Sequence, residues 1–224
     1  MFGLNEDAAR YAEQYPILDD PRVFYEKLCD GWLPETPQLA LALYLRFAHL
    51  ARDRYVERGI PDEIWEDTMS DLGIWALQIR PGIWGITEIG WLSRHLTLRL
   101  FRLGRLQFEP KPEAIEVHIP EGEPLLPAAC DRAFDAAVRL FGRHDFHCHS
   151  WLLSPDLESV LPADSNIRAF ATRFTLTSVD PADAQAYERI TPGSALHDRV
   201  QGIFRSGGNI RTAAGTYRHM LAIA

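Results

Sequence analysis

Over residues 142–157 the chain reads GRHDFHCHSWLLSPDL, which sets His144, His147, Cys148 and His149 within six positions. Three chemistries use such a set. Two imidazoles and a carboxylate such as Asp145 can hold a metal ion, an imidazole beside a thiol can activate a nucleophile, and an imidazole alone can move a proton. Spacing decides how each fares. On a strand, alternate residues share a face, so Asp145, His147, His149 and Trp151 point one way and Phe146, Cys148, Ser150 and Leu152 the other. Cys148 is then turned away from the histidines beside it. His147 and His149 share a face and His118 could join them, yet no HExxH or comparable ligand spacing accompanies them. A strand whose polar residues line a cleft fits the pattern best; a metal-dependent hydrolase built on His118, His147 and His149 is a third-rank reading, and no metal is expected.

The elements that position this segment follow from periodicity. The first hundred residues read as helices. In TPQLALALYLRFAHLARDRYVERGIP, Thr36 can cap, Pro37 suits the first helical position, and Gly59 with Pro61 marks the stop. Apolar residues on every side of its first turns predict a central, buried helix. In PDEIWEDTMSDLGIWALQIRPG, Ile64, Trp65, Met69, Leu72 and Trp75 recur at helical spacing, with Pro81 and Gly82 as terminator. A third helix follows Thr87, its Ile89, Leu92, Leu96, Leu100 and Leu103 carrying the period to Gly104.

After Gly104 the period changes from 3.6 to 2. RLQFE alternates; so does IEVHI, with Ile115, Val117 and Ile119 on one side and Glu116 and His118 on the other. Pro127 opens a helix with a stripe of Cys130, Phe134, Val138 and Phe141, closed by Gly142. A strand over residues 146–153, a helix from Ser154-Pro155, a strand in RFTLTSV and a helix over residues 194–205 complete the order. In the tail, the pair Gly207-Gly208 reads as a helix end. The prediction is therefore α+β, with a helical domain over residues 1–104 and a mixed-sheet domain over 105–224.

Bulk properties exclude some functions. The chain has 224 residues, enough for a sizeable core, and 46% hydrophobic with 24% charged residues is the balance of a globular protein. A formal charge of −8 argues against a nucleic-acid partner, because phosphate contacts need clustered Lys and Arg. The three cysteines, Cys29, Cys130 and Cys148, form no CxxC pair and fit free thiols in a cytoplasmic location. The opening MFGLNED has no basic flank and apolar run, so no signal peptide is expected, and no apolar run reaches membrane-spanning length.

Three stretches go beyond pattern: WLSRHLTLRLFRLGRLQFEP, VHIPEGEPLLPAACDRAF and SWLLSPDLESVLPADSNIRAFATRF. Together, over roughly residues 84–178, they resemble the bacterial acyltransferase-like family in which a helical N-terminal domain precedes a domain similar to the GNAT N-acetyltransferases. The resemblance implies a sheet in which two parallel strands splay and acyl-CoA's pantetheine lies between them; here these would be residues 115–119 and 146–153. It implies an N-acyltransferase that moves an acetyl or short acyl group directly from acetyl-CoA, or another acyl-CoA, to a small-molecule or peptide amine, with no membrane partner and a homodimer as the expected assembly. Candidate catalytic residues are Glu116, His118 and His149 as proton acceptors and Ser150, with Cys148 beside it, as donor to the leaving thiolate. Candidate CoA-binding residues are Val117 and Ile119 through backbone, Gly122 and Leu125 in the loop before the helix, and Asn166 after its Ser165 cap.

The loop departs from the family's pattern. GNAT enzymes carry Arg/Gln-x-x-Gly-x-Gly/Ala where this chain has PEGEPLLP, a single glycine between Glu121 and Glu123. Two carboxylates repel a pyrophosphate unless a cation such as Arg132, Arg143 or Lys111 offsets them. That departure motivates the alternative, a GNAT-shaped binding or regulatory protein without catalysis.

Overall fold

Thr36 and Pro37 start their helix as their chemistry dictates. The Thr36 hydroxyl oxygen accepts the Leu39 N–H at 3.2 Å, and proline occupies the first position, where no N–H is needed. The computed structural model describes residues 21–34, 36–77, 86–182, 185–190 and 193–221, and the chain divides into two units, Met1–Leu103 and Gly104–Ala224. Pro81 and Gly82, the predicted terminator, and the first twenty residues lie outside the described residues. Among the described residues no helix is long and apolar enough to cross a membrane.

The N-terminal unit contains α1 (Pro21–Cys29), α2 (Pro37–Glu57), α3 (Asp62–Leu77), α4 (Ile86–Leu96) and the short strand β1 (Phe101–Leu103). As its composition predicts, α2 buries Leu39, Leu41, Leu43, Tyr44, Phe47 and Tyr55, and packs on both α3 and α4. The two buried phenols are satisfied by carbonyls of α4: Tyr44 donates to Ile89 at 3.0 Å and Tyr55 to His95 at 2.9 Å. Between α3 and α4 lies a buried polar pair, His95 Nε2 at 3.1 Å from Asp71 Oδ2, with side chains 0% and 3% exposed. The helix predicted to reach Gly104 ends at Leu96 instead. Leu98 turns left-handed at φ 54°, the N–H groups of Arg99 and Leu100 both close on the Arg94 carbonyl, and the chain runs extended through β1. Leu100 and Leu103 are buried as the helical spacing suggests, but from an extended backbone.

The C-terminal unit is built on β2 (Leu106–Pro110), β3 (Ile115–His118), β4 (Asp145–Ser150), β5 (Thr175–Asp180) and β6 (Thr212–Arg218), lying in the order β2-β3-β4-β6-β5. Only β3 and β4 are parallel; the pairs β2/β3, β4/β6 and β5/β6 are antiparallel. Helix α5 (Pro127–Phe141) is the crossover between the parallel pair, ended by Gly142 at φ 65°. Its Phe134 lies in a ring cluster with Phe146, Tyr217 and Phe108 at centroid distances of 4.9, 5.0 and 5.7 Å. One sheet face is therefore apolar, with Leu106, Phe108, Ile115, Val117, Phe146 and Cys148 all at most 1% exposed. The other carries Gln107, Glu109, Glu116, His118, His147 and His149.

Three expectations are corrected here. β4 stops at Ser150: that hydroxyl accepts the Leu152 N–H at 3.2 Å and turns the chain into a 3-10 helix, Trp151–Leu153. Trp151 is thus not on the open face but buried in a small second core with Leu157, Ile190, Val200 and Ile210. In place of one helix from Ser154 come a second 3-10 turn, Pro155–Ser159, and the short α6 (Asn166–Ala171), capped by Ser165 as expected. After α7 (Gln185–Arg189) and α8 (Ala195–Arg205), Gly207 at φ 80° ends the helix, and β6 follows where no strand was predicted.

A charged clamp ties the turn after β4 to the chain entering β6. Asp156 accepts the Arg211 backbone N–H at 3.0 Å and its guanidinium at 2.9 and 2.6 Å, which holds the carboxyl down to about 2. A carboxyl depressed from the usual value near 4 stabilises the fold above that value and ceases to as pH falls through about 2. Arg211→Ala should therefore lower the urea midpoint at pH 7, with the gap to the parent closing between about pH 4 and pH 2; a gap that persists at pH 2 refutes the clamp.

Candidate functional site

The geometry of interest is the seam between β3 and β4. Their register runs Ile115↔Phe146 and Glu116↔His147 and goes no further. Beyond that point each strand keeps its other neighbour: β3 stays paired with β2 as far as His118↔Gln107, and β4 with β6 as far as Ser150↔Ala213. The two strands therefore part toward their carboxyl ends while held from behind. Backbone groups along such lips need partners, and an extended amide-bearing chain laid between them can supply both N–H and C=O.

The predicted catalytic residues sit along this seam. Glu116 is on the last closed pair, where both carboxylate oxygens lie 2.9 Å from Nδ1 of His147. His118, on the same face of β3, has Nε2 at 3.5 Å from Glu109 Oε2. Glu109, which from sequence reads as solvated or substrate-facing, is 4% exposed and paired with Lys111. His149 is exposed on β4, two residues past the last closed pair and on its polar face. Ser150 is buried at the strand end. Cys148, also on the parted segment, is fully buried; burial first and the Glu116 charge second push its thiol far up, so it stays protonated.

The candidate CoA-binding residues follow β3 in order. Val117 is buried opposite Phe108, Ile119 is half-buried just past the strand, Gly122 is exposed at φ 138°, and Leu125 is buried before α5. Asn166 belongs to a separate element as the first residue of α6. Helix α5 begins without a side-chain cap, Leu126 preceding Pro127.

The cations expected near the loop are not all there. Lys111 is bound to Glu109, and Arg143 donates to the carbonyls of Lys111 and Pro112 at the start of β3, whereas the loop lies past its end. The strand between them spans roughly 13 Å at about 3.3 Å per residue. Arg105 and Arg173 are at the loop instead, donating to the carbonyls of Pro120 at 2.8 Å and Pro127 at 3.2 Å. Arg132 is exposed on α5. Neither Arg105 nor Arg173 is singled out by sequence spacing, since each reaches the loop only through the tertiary fold.

A hollow of about 650 Å3 opens at the amino-terminal ends of β3 and β4, on the closed side of the seam. Lys111, Glu113, Glu116, Asp145, His147 and Arg218 are among its lining residues. Among the described residues no three His, Cys, Asp or Glu side chains gather as a metal site, so His118, His147 and His149 are not brought together as ligands.

Comparison with known proteins agrees with this architecture. The GNAT-like C-terminal domain family matches residues 100–217, and the N-acyltransferase N-terminal domain family matches residues 5–98. Among solved structures, a mutant acyltransferase in complex with octanoyl-CoA superposes with a TM-score of 0.69 at 29% identity, covering 81% of this chain and 66% of that one. An acyltransferase in complex with CoA and 10C-teicoplanin gives 0.67 at 29% identity, covering 80% and 66%. Another, in complex with decanoyl-CoA and teicoplanin, gives the same figures. The chain thus spans just under two thirds of the length of these relatives. No curated protein matches it.

Proposed function

The chain belongs to the family of acyltransferases with a GNAT-like C-terminal domain, and on that footing we propose that it transfers an acyl group from an acyl-CoA to an amine. The parted seam carries this reading, because it provides a slot one extended chain wide, bounded by residues 117–119 and 148–150. Pantetheine would lie in the slot, with its pyrophosphate at the loop of Gly122 and Leu125, near the uncapped start of α5 and the guanidinium groups of Arg105, Arg132 and Arg173. Free N–H groups and the helix dipole favour an anion there. Asn166 on α6 would flank the outer part of the cofactor.

The amine, once neutral, attacks the thioester carbonyl; a C–N bond forms, the C–S bond breaks, and the products are an amide and CoA thiol. Backbone N–H groups of β3 would polarise the carbonyl. Glu116, His118 and His149 supply proton-accepting capacity on the polar face, and Ser150 is placed to return a proton to the thiolate. The protonated state of Cys148 speaks for direct transfer over an acyl-cysteine intermediate.

Titration calorimetry with acetyl-, octanoyl- and decanoyl-CoA tests the reading: binding of at least one is expected, and no heat with any of the three rejects it. Glu121 and Glu123 should weaken binding by repulsion. Replacing both with Gln should tighten acyl-CoA binding roughly tenfold at low salt, less at high salt; unchanged affinity would place the pyrophosphate elsewhere. The same acidic loop favours a second reading, a CoA-binding regulator, for which tight binding without turnover would be the signature.

A further inference from the structure

We propose that His147 is the group that takes the proton from the acceptor amine, that Glu116 positions it, and that the amine arrives through the hollow on the closed side of the seam. This rests on the transferase reading above. A carboxylate only accepts hydrogen bonds, so with both Glu116 oxygens 2.9 Å from Nδ1, that nitrogen carries the hydrogen. The neutral ring then presents its lone pair at Nε2, and among the described residues no side chain or backbone group occupies that nitrogen. The two side chains are 30% and 28% exposed, so Nε2 is reachable.

Position argues the same way. Glu116 and His147 form the last closed pair of the seam. An arm whose phosphates rest at the outer loop has its thioester at the inner end of the slot, against that pair. The same two residues line the hollow, which therefore meets the slot at the reacting carbon. The other histidine of β3 is placed differently: His118 Nε2 faces the buried Glu109 rather than the hollow.

The lining specifies the acceptor. Arg218 is bound to Asp145 and Lys111 to Glu109, while Glu113 carries no ion pair. With Thr175 and Thr216 also present, the hollow suits a hydrophilic amine entering as its ammonium and disfavours an apolar chain. Nε2 of His147 takes one ammonium proton. The amine then attacks the carbonyl, and the expelled thiolate and the nitrogen's remaining surplus proton leave as CoA thiol and neutral amide.

Three variants, His147→Ala, Glu116→Ala and Glu116→Gln, are compared with the parent, using octanoyl-CoA and acetyl-CoA with ethanolamine, glucosamine and lysine as acceptors. His147→Ala should lose roughly 10²- to 10⁴-fold in kcat with acyl-CoA affinity kept, and regain activity with added imidazole. Glu116→Gln, whose amide oxygen still accepts from Nδ1, should retain more activity than Glu116→Ala. Nitrogen NMR of the parent should show the His147 ring with hydrogen on Nδ1, and Glu116→Ala a tautomer mixture. Activity of His147→Ala within threefold of the parent, or hydrogen on Nε2 in the parent, overturns the assignment. A parent that binds acyl-CoA yet acylates none of these amines overturns the acceptor class. A parent that binds no acyl-CoA fails at the transferase reading itself, which separates the two failures.

Discussion

Phe134→Ala should lower the unfolding free energy of the C-terminal unit by about 4 kcal/mol, the largest stability loss expected from a single truncation in that unit. The ring is 0% exposed and stands between helix α5 and the sheet. It meets Phe146 of β4, Phe108 of β2 and Tyr217 of β6 edge-on, at interplanar angles of 72° to 75°. Three strands thus converge on one side chain. Removing it leaves a cavity that rigid neighbouring rings cannot close, so both the transfer term and the cavity term are incurred. Phe134→Leu keeps most of the volume and should cost about 1 kcal/mol. Urea unfolding followed by circular dichroism reads both; a loss below about 1.5 kcal/mol for the alanine variant would mean that the cluster repacks.

In the N-terminal unit, His95→Leu should cost about 3 kcal/mol. It strips the Asp71 carboxylate, 3% exposed, of its imidazole partner at 3.1 Å and leaves an acidic group buried between α3 and α4. The penalty belongs to the group left behind rather than to the bond lost. A double variant, His95→Leu with Asp71→Leu, removes both polar groups and should recover much of the stability. A double variant less stable than His95→Leu alone would show that the pair contributes more than it costs to bury.

Several of these features were legible in the order of residues and several were not. Thr36-Pro37, Pro127 and Gly142 act through local chemistry, so the limits of α2 and α5 follow from sequence. Strands β3 and β4 each have one apolar and one polar face, and period-2 alternation finds them. β6 escapes the same test. Its residues 212–215 are buried without alternation, and its small side chains make room for neighbours rather than a stripe: a Cβ on Gly215 would meet Phe174 Cβ at 3.0 Å. The end of α4 was hidden because Leu96, Leu100 and Leu103 continue a helical spacing through a left-handed turn at Leu98 that spacing does not register. At the site, Glu116 and His118 stand out on one strand face. The pairing of Glu116 with His147, thirty-one positions away, depends on strand register and is invisible until the sheet forms. The same holds for Arg105 and Arg173 at the loop.

The placement of β6 has a bearing on how the molecule is made. It is the last strand to emerge from the ribosome, yet it is the neighbour that β4 keeps along all six of its residues. Until it arrives, an incomplete nascent chain presents β4 with one flank bare, a template for joining the same strand of another copy. Biosynthesis is thus most exposed to aggregation in the interval between translation of His149 and of Arg218, and it is in that interval that a chaperone would matter most.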